Sequence, residues 1–127
     1  MRDDGGITFE DFYPYNITGN ISPVCDLTKK DYTVTIRNWV AIQRNEQEMI
    51  DYVLRKGPLT AIVDASSWGF YKNGTFAGCS AKIKINHGVQ IVGVDVEEGY
   101  WIIRNSWGPD WGDEGYMKLA LVCRKVE

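Results

Sequence analysis

The clearest periodic pattern in the chain lies between residues 45 and 57. Four apolar residues recur there at the spacing of one helix face, namely Met49, Ile50, Val53 and Leu54. Asn45 precedes them and Glu48 follows it by three residues, which is the pattern of a capped helix start. Gly57-Pro58 ends the pattern, because proline cannot continue a helix and disfavours it in the residue before. The sequence therefore predicts one main helix.

Five other segments carry the β-branched, alternating pattern of strands. They are residues 33–42, 59–65, 88–96, 100–105 and 116–121. Glu97-Glu98-Gly99 is a hairpin signal between the third and fourth segments. Residues 5–30 are rich in Gly, Asn, Pro and aromatic residues, so we expect irregular structure there. The pattern predicts one domain over residues 1–127 with an α+β fold, in which an antiparallel, barrel-like sheet of about five strands accompanies one helix.

Composition and charge exclude several classes of function. The chain has a formal net charge of −3 and a sequence pI of about 5.2, whereas nucleic acids and anionic membrane surfaces attract basic proteins. No apolar run approaches the roughly 18 residues of a spanning helix, and the first residues do not resemble a signal peptide. One histidine and three cysteines without CxxC spacing give no zinc pattern. We therefore expect no nucleic acid, no membrane, no metal and no organic cofactor.

Three Asn-x-Ser/Thr sequons indicate an oxidising, secretory environment for the chain. They are Asn16-Ile17-Thr18, Asn20-Ile21-Ser22 and Asn73-Gly74-Thr75, the second followed directly by Pro23. Such an environment allows disulfides to form. The odd number of cysteines, however, leaves at least one sulfur without a partner inside the chain.

His87 and Asn105 are the first candidates for chemistry. His87 is the only histidine, so any acid–base catalysis by imidazole near neutral pH must use it. If segments 88–96 and 100–105 pair as a hairpin, the start of the first lies beside the end of the second, and the two residues become neighbours. The ordinary alternatives are a surface histidine where a strand begins and a turn asparagine followed by a core aromatic, Trp107. Pairing of the two segments favours a catalytic dyad.

The two residues lie in motifs that resemble the papain family of cysteine peptidases, the cathepsins included. The long motifs are Asn86-His87-Gly88-Val89-Gln90-Ile91-Val92-Gly93 and Tyr100-Trp101-Ile102-Ile103-Arg104-Asn105-Ser106-Trp107-Gly108. Shorter matches are Gly5-Gly6, Tyr13-Pro14-Tyr15, Cys25, Gly57-Pro58, Trp111-Gly112 and Gly115-Tyr116. The resemblance extends from about Asp4 to Cys123, and it implies the C-terminal, β-rich half of the papain-like fold. It also implies proteolysis of a peptide or protein substrate in a lysosomal or secreted setting.

The resemblance also implies roles for individual residues. His87 would pair with a thiol as a thiolate–imidazolium couple and then protonate the leaving amine. Asn105 would orient the ring, Trp107 would shield that hydrogen bond, and Trp111 would form the aromatic wall on the leaving-group side. The positions that line the pocket for the second substrate residue before the cut are Ile62, Ile85 and Gly88, so a bulky apolar side chain is expected there.

The cysteines acquire expected roles in the same way. Cys79 and Cys123 resemble the disulfide that closes this half of the fold, and Cys25 resembles the half-cystine that bridges to the other half. A free thiol is the alternative for Cys25.

The catalytic cysteine of the family and its oxyanion-hole glutamine have no counterpart in the sequence. The family places that cysteine at a helix start within a Gln…Cys-Gly-Ser-Cys-Trp motif, and none of the three cysteines has this context. We therefore expect this chain to be inactive alone and to meet its N-terminal half, or another chain, at an exposed apolar cleft face. The alternative is a peptidase homologue that binds or regulates other proteins without catalysis.

Overall fold

The computed structural model describes residues 6–14, 24, 26, 28, 33–78 and 82–121. The chain forms two compact units that divide between Ala41 and Ile42. All three cysteines and the first two sequons lie outside the described residues, so the expected disulfide and the expected half-cystine remain expectations.

The first unit contains one small antiparallel sheet. Its strands are β1 (Ile7–Thr8) and β2 (Thr33–Val34), with Ile7 opposite Val34. The strand predicted over residues 33–42 is therefore wrong beyond Val34. Residues 35–41 are exposed and pair with no strand in the part of the chain that the structure describes. Strand propensity reflects packing against neighbours, so an alternating pattern without such neighbours does not form a strand.

The predicted helix is confirmed as α1 (Glu46–Lys56) in the second unit. The Asn45 side chain caps it by accepting the backbone N–H of Glu48 at 3.2 Å. At the other end the N–H of Gly57 donates to the carbonyl of Tyr52, and Gly57 has a φ of 116°, which glycine adopts without the strain of a Cβ. The helix packs against the sheet and contributes Ile50 and Val53 to the core.

One residue of the predicted apolar helix face is not buried. Leu54 is 62% exposed, whereas Met49 packs against the core. At 100° per residue the buried face is centred between Met49, Ile50 and Val53, and Leu54 falls at its edge.

The main sheet has five strands in the order β3-β5-β6-β7-β4. Their bounds are β3 (Leu59–Val63), β4 (Thr75–Phe76), β5 (His87–Asp95), β6 (Tyr100–Arg104) and β7 (Tyr116–Ala120). All neighbours are antiparallel except β4, which runs parallel to β7. The α+β prediction and the hairpin between β5 and β6 are confirmed. The barrel-like, antiparallel description is corrected, because the sheet is mixed and open, with β3 and β4 at its edges.

The core lies between this sheet, α1 and the aromatic residues of the connecting segments. Its buried members are Ile50, Val53, Ala65, Trp68, Tyr71, Val89, Ile91, Trp101, Ile103, Trp111 and Met117. Ile103 on β6 and Met117 on β7 lie directly opposite each other and are each 1% exposed. Among the described residues no helix is long and apolar enough to cross a membrane.

Candidate active site

The strand pairing brings His87 and Asn105 to the same end of the sheet. His87 is the first residue of β5, and Asn105 directly follows the last residue of β6. The two strands are antiparallel with Gln90 opposite Arg104, so the start of one lies beside the end of the other. The imidazole Nε2 and the amide Oδ1 of Asn105 are 2.7 Å apart.

This hydrogen bond determines which ring nitrogen of His87 carries the proton. Asn105 Oδ1 also accepts the backbone N–H of Ser106 at 2.8 Å, which identifies the atom that faces the ring as the oxygen. An amide oxygen only accepts hydrogen bonds, so Nε2 must donate. In the neutral ring Nδ1 then has a free lone pair, and in the charged ring it carries a second proton. Nδ1 is therefore the atom that can exchange a proton with a reactant.

A backbone hydrogen bond holds Asn105 in place, whereas its side-chain NH₂ group makes no hydrogen bond among the described residues. Its backbone N–H donates to the carbonyl of Gly115 at 3.0 Å, which ties the end of β6 to the start of β7. Its side-chain Nδ2 is buried and has no hydrogen-bond partner among the described residues. An unpaired buried donor costs on the order of 1–3 kcal/mol, so the amide orientation must be favoured by the two bonds to Oδ1.

A row of aromatic rings leads from the imidazole into the core. The centroid of the Trp107 ring lies 5.0 Å from that of His87 with an angle of 35° between the planes. Trp111 meets Trp107 edge-on at 5.1 Å and lies 5.6 Å from Tyr71 on its other side. These are favourable aromatic separations. Trp107 is 40% exposed and Trp111 only 8%, so Trp107 forms the solvent-facing end of the row.

Hydrogen bonds anchor the inner end of this row. Trp111 Nε1 donates to the carbonyl of Trp68 at 3.1 Å. The Tyr71 hydroxyl donates to the carbonyl of Gly74 at 2.7 Å and accepts the backbone N–H of Lys118 at 3.2 Å. Sequence reasoning missed Trp68 and Tyr71 because their segment has neither a helix pattern nor a strand pattern. Two aromatic residues close together in such a segment are the signal that could have identified them.

The segment that carries Trp107 and Trp111 needs left-handed backbone. Gly108, Gly112 and Gly115 have φ values of 88°, 63° and 89°. A Cβ on Gly112 would lie 2.5 Å from the carbonyl oxygen of Tyr116 and 3.2 Å from the Tyr71 ring. The glycines let the chain turn back from β6 to β7 while both indoles remain against the end of the sheet.

Of the three predicted pocket residues, Ile62 and Gly88 are direct neighbours in the sheet, and Ile62 and Ile85 are exposed. Ile62 on β3 lies directly opposite Gly88 on β5, and a Cβ on Gly88 would meet nothing within 4 Å. Ile62 is 70% exposed and Ile85, just before β5, is 54% exposed. Side chains alternate along a strand, so Ile62 and Gly88 lie on the face of the sheet opposite to buried Val89.

A polar network that sequence reasoning missed holds the segment before His87. Asp64 Oδ1 accepts the N–H and hydroxyl of Ser66, and its Oδ2 accepts the N–H of Lys84 at 2.8 Å. The backbone N–H of Lys84, followed by the two groups of Ser66, holds the pKa of the Asp64 carboxyl below its usual value of 3.8. The Asp-x-Ser spacing after a strand is a turn signal that could have pointed to it.

Asn86 continues this network to the residue beside His87. Its Nδ2 donates to the hydroxyl of Ser66 at 2.9 Å, and its Oδ1 accepts the N–H of Ala65 at 3.0 Å. Its backbone N–H donates to the carbonyl of Val63 at 3.1 Å. The start of β5 is therefore tied to the end of β3 immediately before the imidazole.

Comparison with known proteins places the chain among cysteine proteases. A sequence profile of the papain family cysteine proteases matches residues 1–125. Cysteine proteinase 2 of Leishmania pifanoi is 37% identical over 122 residues, and procathepsin L of Felis catus is 34% identical over 130 residues. The bromelain protease of Ananas comosus, solved in complex with the E64 inhibitor, superimposes with a TM-score of 0.76 and 32% identity.

The matches cover nearly all of this chain and a smaller share of each relative. They include 93% of the chain and 27% of the Leishmania proteinase, 94% of the chain and 38% of procathepsin L, and 93% of the chain and 55% of bromelain. The chain thus spans about a third of the length of these two curated relatives. On the profile match and these identities, the chain belongs to the papain family of cysteine proteases.

Proposed function

We propose that this chain supplies the acid–base half of a cysteine-type peptidase site. The observation that carries the proposal is the 2.7 Å hydrogen bond between His87 Nε2 and Asn105 Oδ1, which leaves Nδ1 as the working nitrogen. A cysteine nucleophile requires such an imidazole, held in one orientation by a third group. Membership of a cysteine protease family supports a cysteine sulfur as the partner of this imidazole.

The proposed reaction has two steps, each with a proton at His87 Nδ1. A thiolate attacks the scissile carbonyl carbon, the C–N bond breaks, and Nδ1–H gives its proton to the leaving amine. A water molecule then attacks the thioester as Nδ1 accepts one of its protons, and the C–S bond breaks to release the acid and the thiolate. Asn105 keeps Nε2 engaged through both steps, while Trp107 covers one face of the ring.

The thiolate, on this proposal, comes from polypeptide outside the 127 residues. None of the three cysteines stands in a Gln…Cys-Gly-Ser-Cys-Trp sequence, the context expected for the nucleophile. The chain alone would then be inactive. The exposed surface of Ile62, Ile85 and Gly88 supports a partner polypeptide or an apolar substrate side chain at that face, and the sequons support a lysosomal or secreted location.

Reconstitution tests the proposal directly. The purified chain is mixed with the first half of a papain-family protease that carries the cysteine nucleophile, and hydrolysis of a fluorogenic peptide is followed. We expect no hydrolysis by the chain alone and measurable hydrolysis by the mixture. His87→Ala in the chain should lower kcat/KM by about 10²–10⁴-fold, since general acid–base catalysis contributes that much.

Two controls make the result interpretable. Lys72→Ala changes an exposed residue on another loop and should leave the rate unchanged. A peptide-epoxide thiol probe should label the added half and not this chain. Hydrolysis that survives His87→Ala, or probe labelling of this chain that depends on His87, would contradict the assignment.

A further inference from the structure

The turn before β4 contains one of the three sequons, and all three of its residues are exposed. Asn73 and Gly74 form the bend, and Thr75 opens the strand. Gly74 has a φ of 79°, which permits the tight bend without strain. Among the residues that the structure describes, the side chains of Asn73 and Thr75 make no hydrogen bond, and both residues are exposed to solvent.

Two contacts hold this turn in an outward-facing conformation. The Tyr71 hydroxyl donates to the carbonyl of Gly74 at 2.7 Å. Phe76 packs against the core with its ring edge-on to Tyr71 at 6.3 Å. Neighbouring residues of a strand point to opposite faces, so the inward position of Phe76 directs Thr75 outward.

The turn also leads into an edge of the sheet. β4 is the last strand in the sheet order, and in the described part of the chain it pairs with β7 alone, through Thr75 opposite Lys118 and Phe76 opposite Leu119. The other side of the strand therefore leaves its backbone groups open to pairing with another chain. A bulky hydrophilic group at the start of the strand would obstruct such pairing.

We propose that Asn73 is an N-glycosylation site and that its glycan shields the edge of β4. Asn73 Nδ2 would form a bond to C1 of the first sugar of a lipid-linked oligosaccharide diphosphate. The C1–O bond to the diphosphate breaks, the amide nitrogen loses a proton, and the lipid diphosphate leaves. The folded chain accommodates the product because the amide faces solvent. The inference does not depend on the proposed peptidase function.

Mass spectrometry of the secreted chain tests the site. The full chain, preceded by a cleavable secretory leader, is expressed in insect cells and digested with trypsin. We expect an intact glycopeptide that covers residues 73–82 with the sugar on Asn73. The glycopeptide itself is measured, because an Asn-Gly pair can deamidate and imitate the product of enzymatic deglycosylation. A secreted chain whose 73–82 peptide carries no sugar would overturn the proposal.

Matched variants separate the site from its structural setting. Thr75→Ala should abolish the glycopeptide, whereas Thr75→Ser, which keeps the hydroxyl, should retain it. For the shielding role, Asn73→Gln should increase aggregation of the secreted chain relative to Asn16→Gln and Asn20→Gln, as measured by light scattering at equal concentration. Equal aggregation of the three variants would contradict the shielding of β4.

Discussion

The geometry of the candidate active site depends on a small number of oriented side chains. The Asn105 amide would be ambiguous if His87 were its only partner, because its oxygen and nitrogen have nearly the same shape. The Ser106 backbone N–H removes that ambiguity, since it can donate only to the oxygen. One backbone donor thus selects the amide orientation, and the amide in turn selects the tautomer of the imidazole.

Replacing Asn105 should change the tautomer of His87. In the neutral ring we expect Nε2 to be protonated and Nδ1 unprotonated, as measured by nitrogen NMR of the chain with labelled histidine, in which His87 gives the only signal. Asn105→Ala removes a hydrogen bond worth about 1 kcal/mol, so the tautomer ratio should shift roughly fivefold toward protonated Nδ1. Asn38→Ala is the control and should not shift it. A wild-type ring protonated at Nδ1 would contradict the orientation described above.

The Asp64 carboxylate should make part of the stability dependent on pH. Its pKa is lowered in the folded chain, so its contribution is present above its ordinary pKa of 3.8 and is lost as the pH falls through the lowered value. Asp64→Asn should therefore lower the melting temperature at pH 6, and the difference from wild type should shrink toward pH 3. Glu97→Gln, in the hairpin turn, serves as the control. A difference that stays constant with pH would argue against the charged network.

At the scale of elements, the glycine-rich segment between β6 and β7 determines where the indoles lie. Asp113 N–H donates to the carbonyl of Tyr116, and Gly115 N–H donates to that of Trp111, so the segment folds back on itself. Glu114, at a φ of 51°, is the only non-glycine residue with positive φ among the described residues. The backbone conformation of this segment therefore determines the positions of Trp107 and Trp111 in the aromatic row.

Two glycine substitutions in this segment should differ in cost. Gly108→Ala has open space around it, so only its positive φ opposes the change, at about 1 kcal/mol. Gly112→Ala adds a clash with the carbonyl oxygen of Tyr116 at 2.5 Å, so its unfolding free energy should fall by about 2–3 kcal/mol or more. Urea unfolding followed by tryptophan fluorescence measures both. Equal losses would show that the contact at Gly112 relaxes freely.

At the scale of the whole molecule, apolar residues divide between a packed core and exposed positions on the sheet. Ile103 is 1% exposed, whereas Ile62, in the same sheet, is 70% exposed. The first is an element of stability. The second contributes little to the fold, because most of its surface remains in contact with solvent.

Truncation of these two isoleucines tests that division. Ile103→Ala should lower the unfolding free energy by about 2–5 kcal/mol, because it removes buried contacts and leaves a cavity. Ile62→Ala should change it by less than about 0.5 kcal/mol, as exposed substitutions usually do. Chemical unfolding of both variants under one condition gives the comparison. A large loss of unfolding free energy for Ile62→Ala would contradict this division, because it would mean that the Ile62 side chain is packed in a core.

Local pattern was sufficient for α1, β3, β5, β6 and β7 of the second unit, but it did not predict β4, whose two residues pair with the distant β7. The capped helix at Asn45, the β5–β6 hairpin and the closeness of His87 to Asn105 follow from periodicity, capping and strand pairing, which operate over a few residues. The papain-family motifs were equally visible in the sequence. Three other predictions were wrong: a strand over residues 35–42, a buried position for Leu54 and a barrel-like sheet. They share one cause, because each depends on which elements pack nearby and local periodicity does not contain that information.

Only the tertiary structure decided the environment of the site. The Asp64 network joins residues 20 apart in sequence, the Tyr71–Trp111 contact joins residues 40 apart, and β4 pairs with β7 over more than 40 residues. Such contacts depend on the packing of segments that are distant in sequence, and not on periodicity, so no local pattern predicts them. The sequence by itself determined that His87 is the one imidazole of the chain; the folded sheet decided which of its nitrogens bonds to Asn105 and what surrounds the ring.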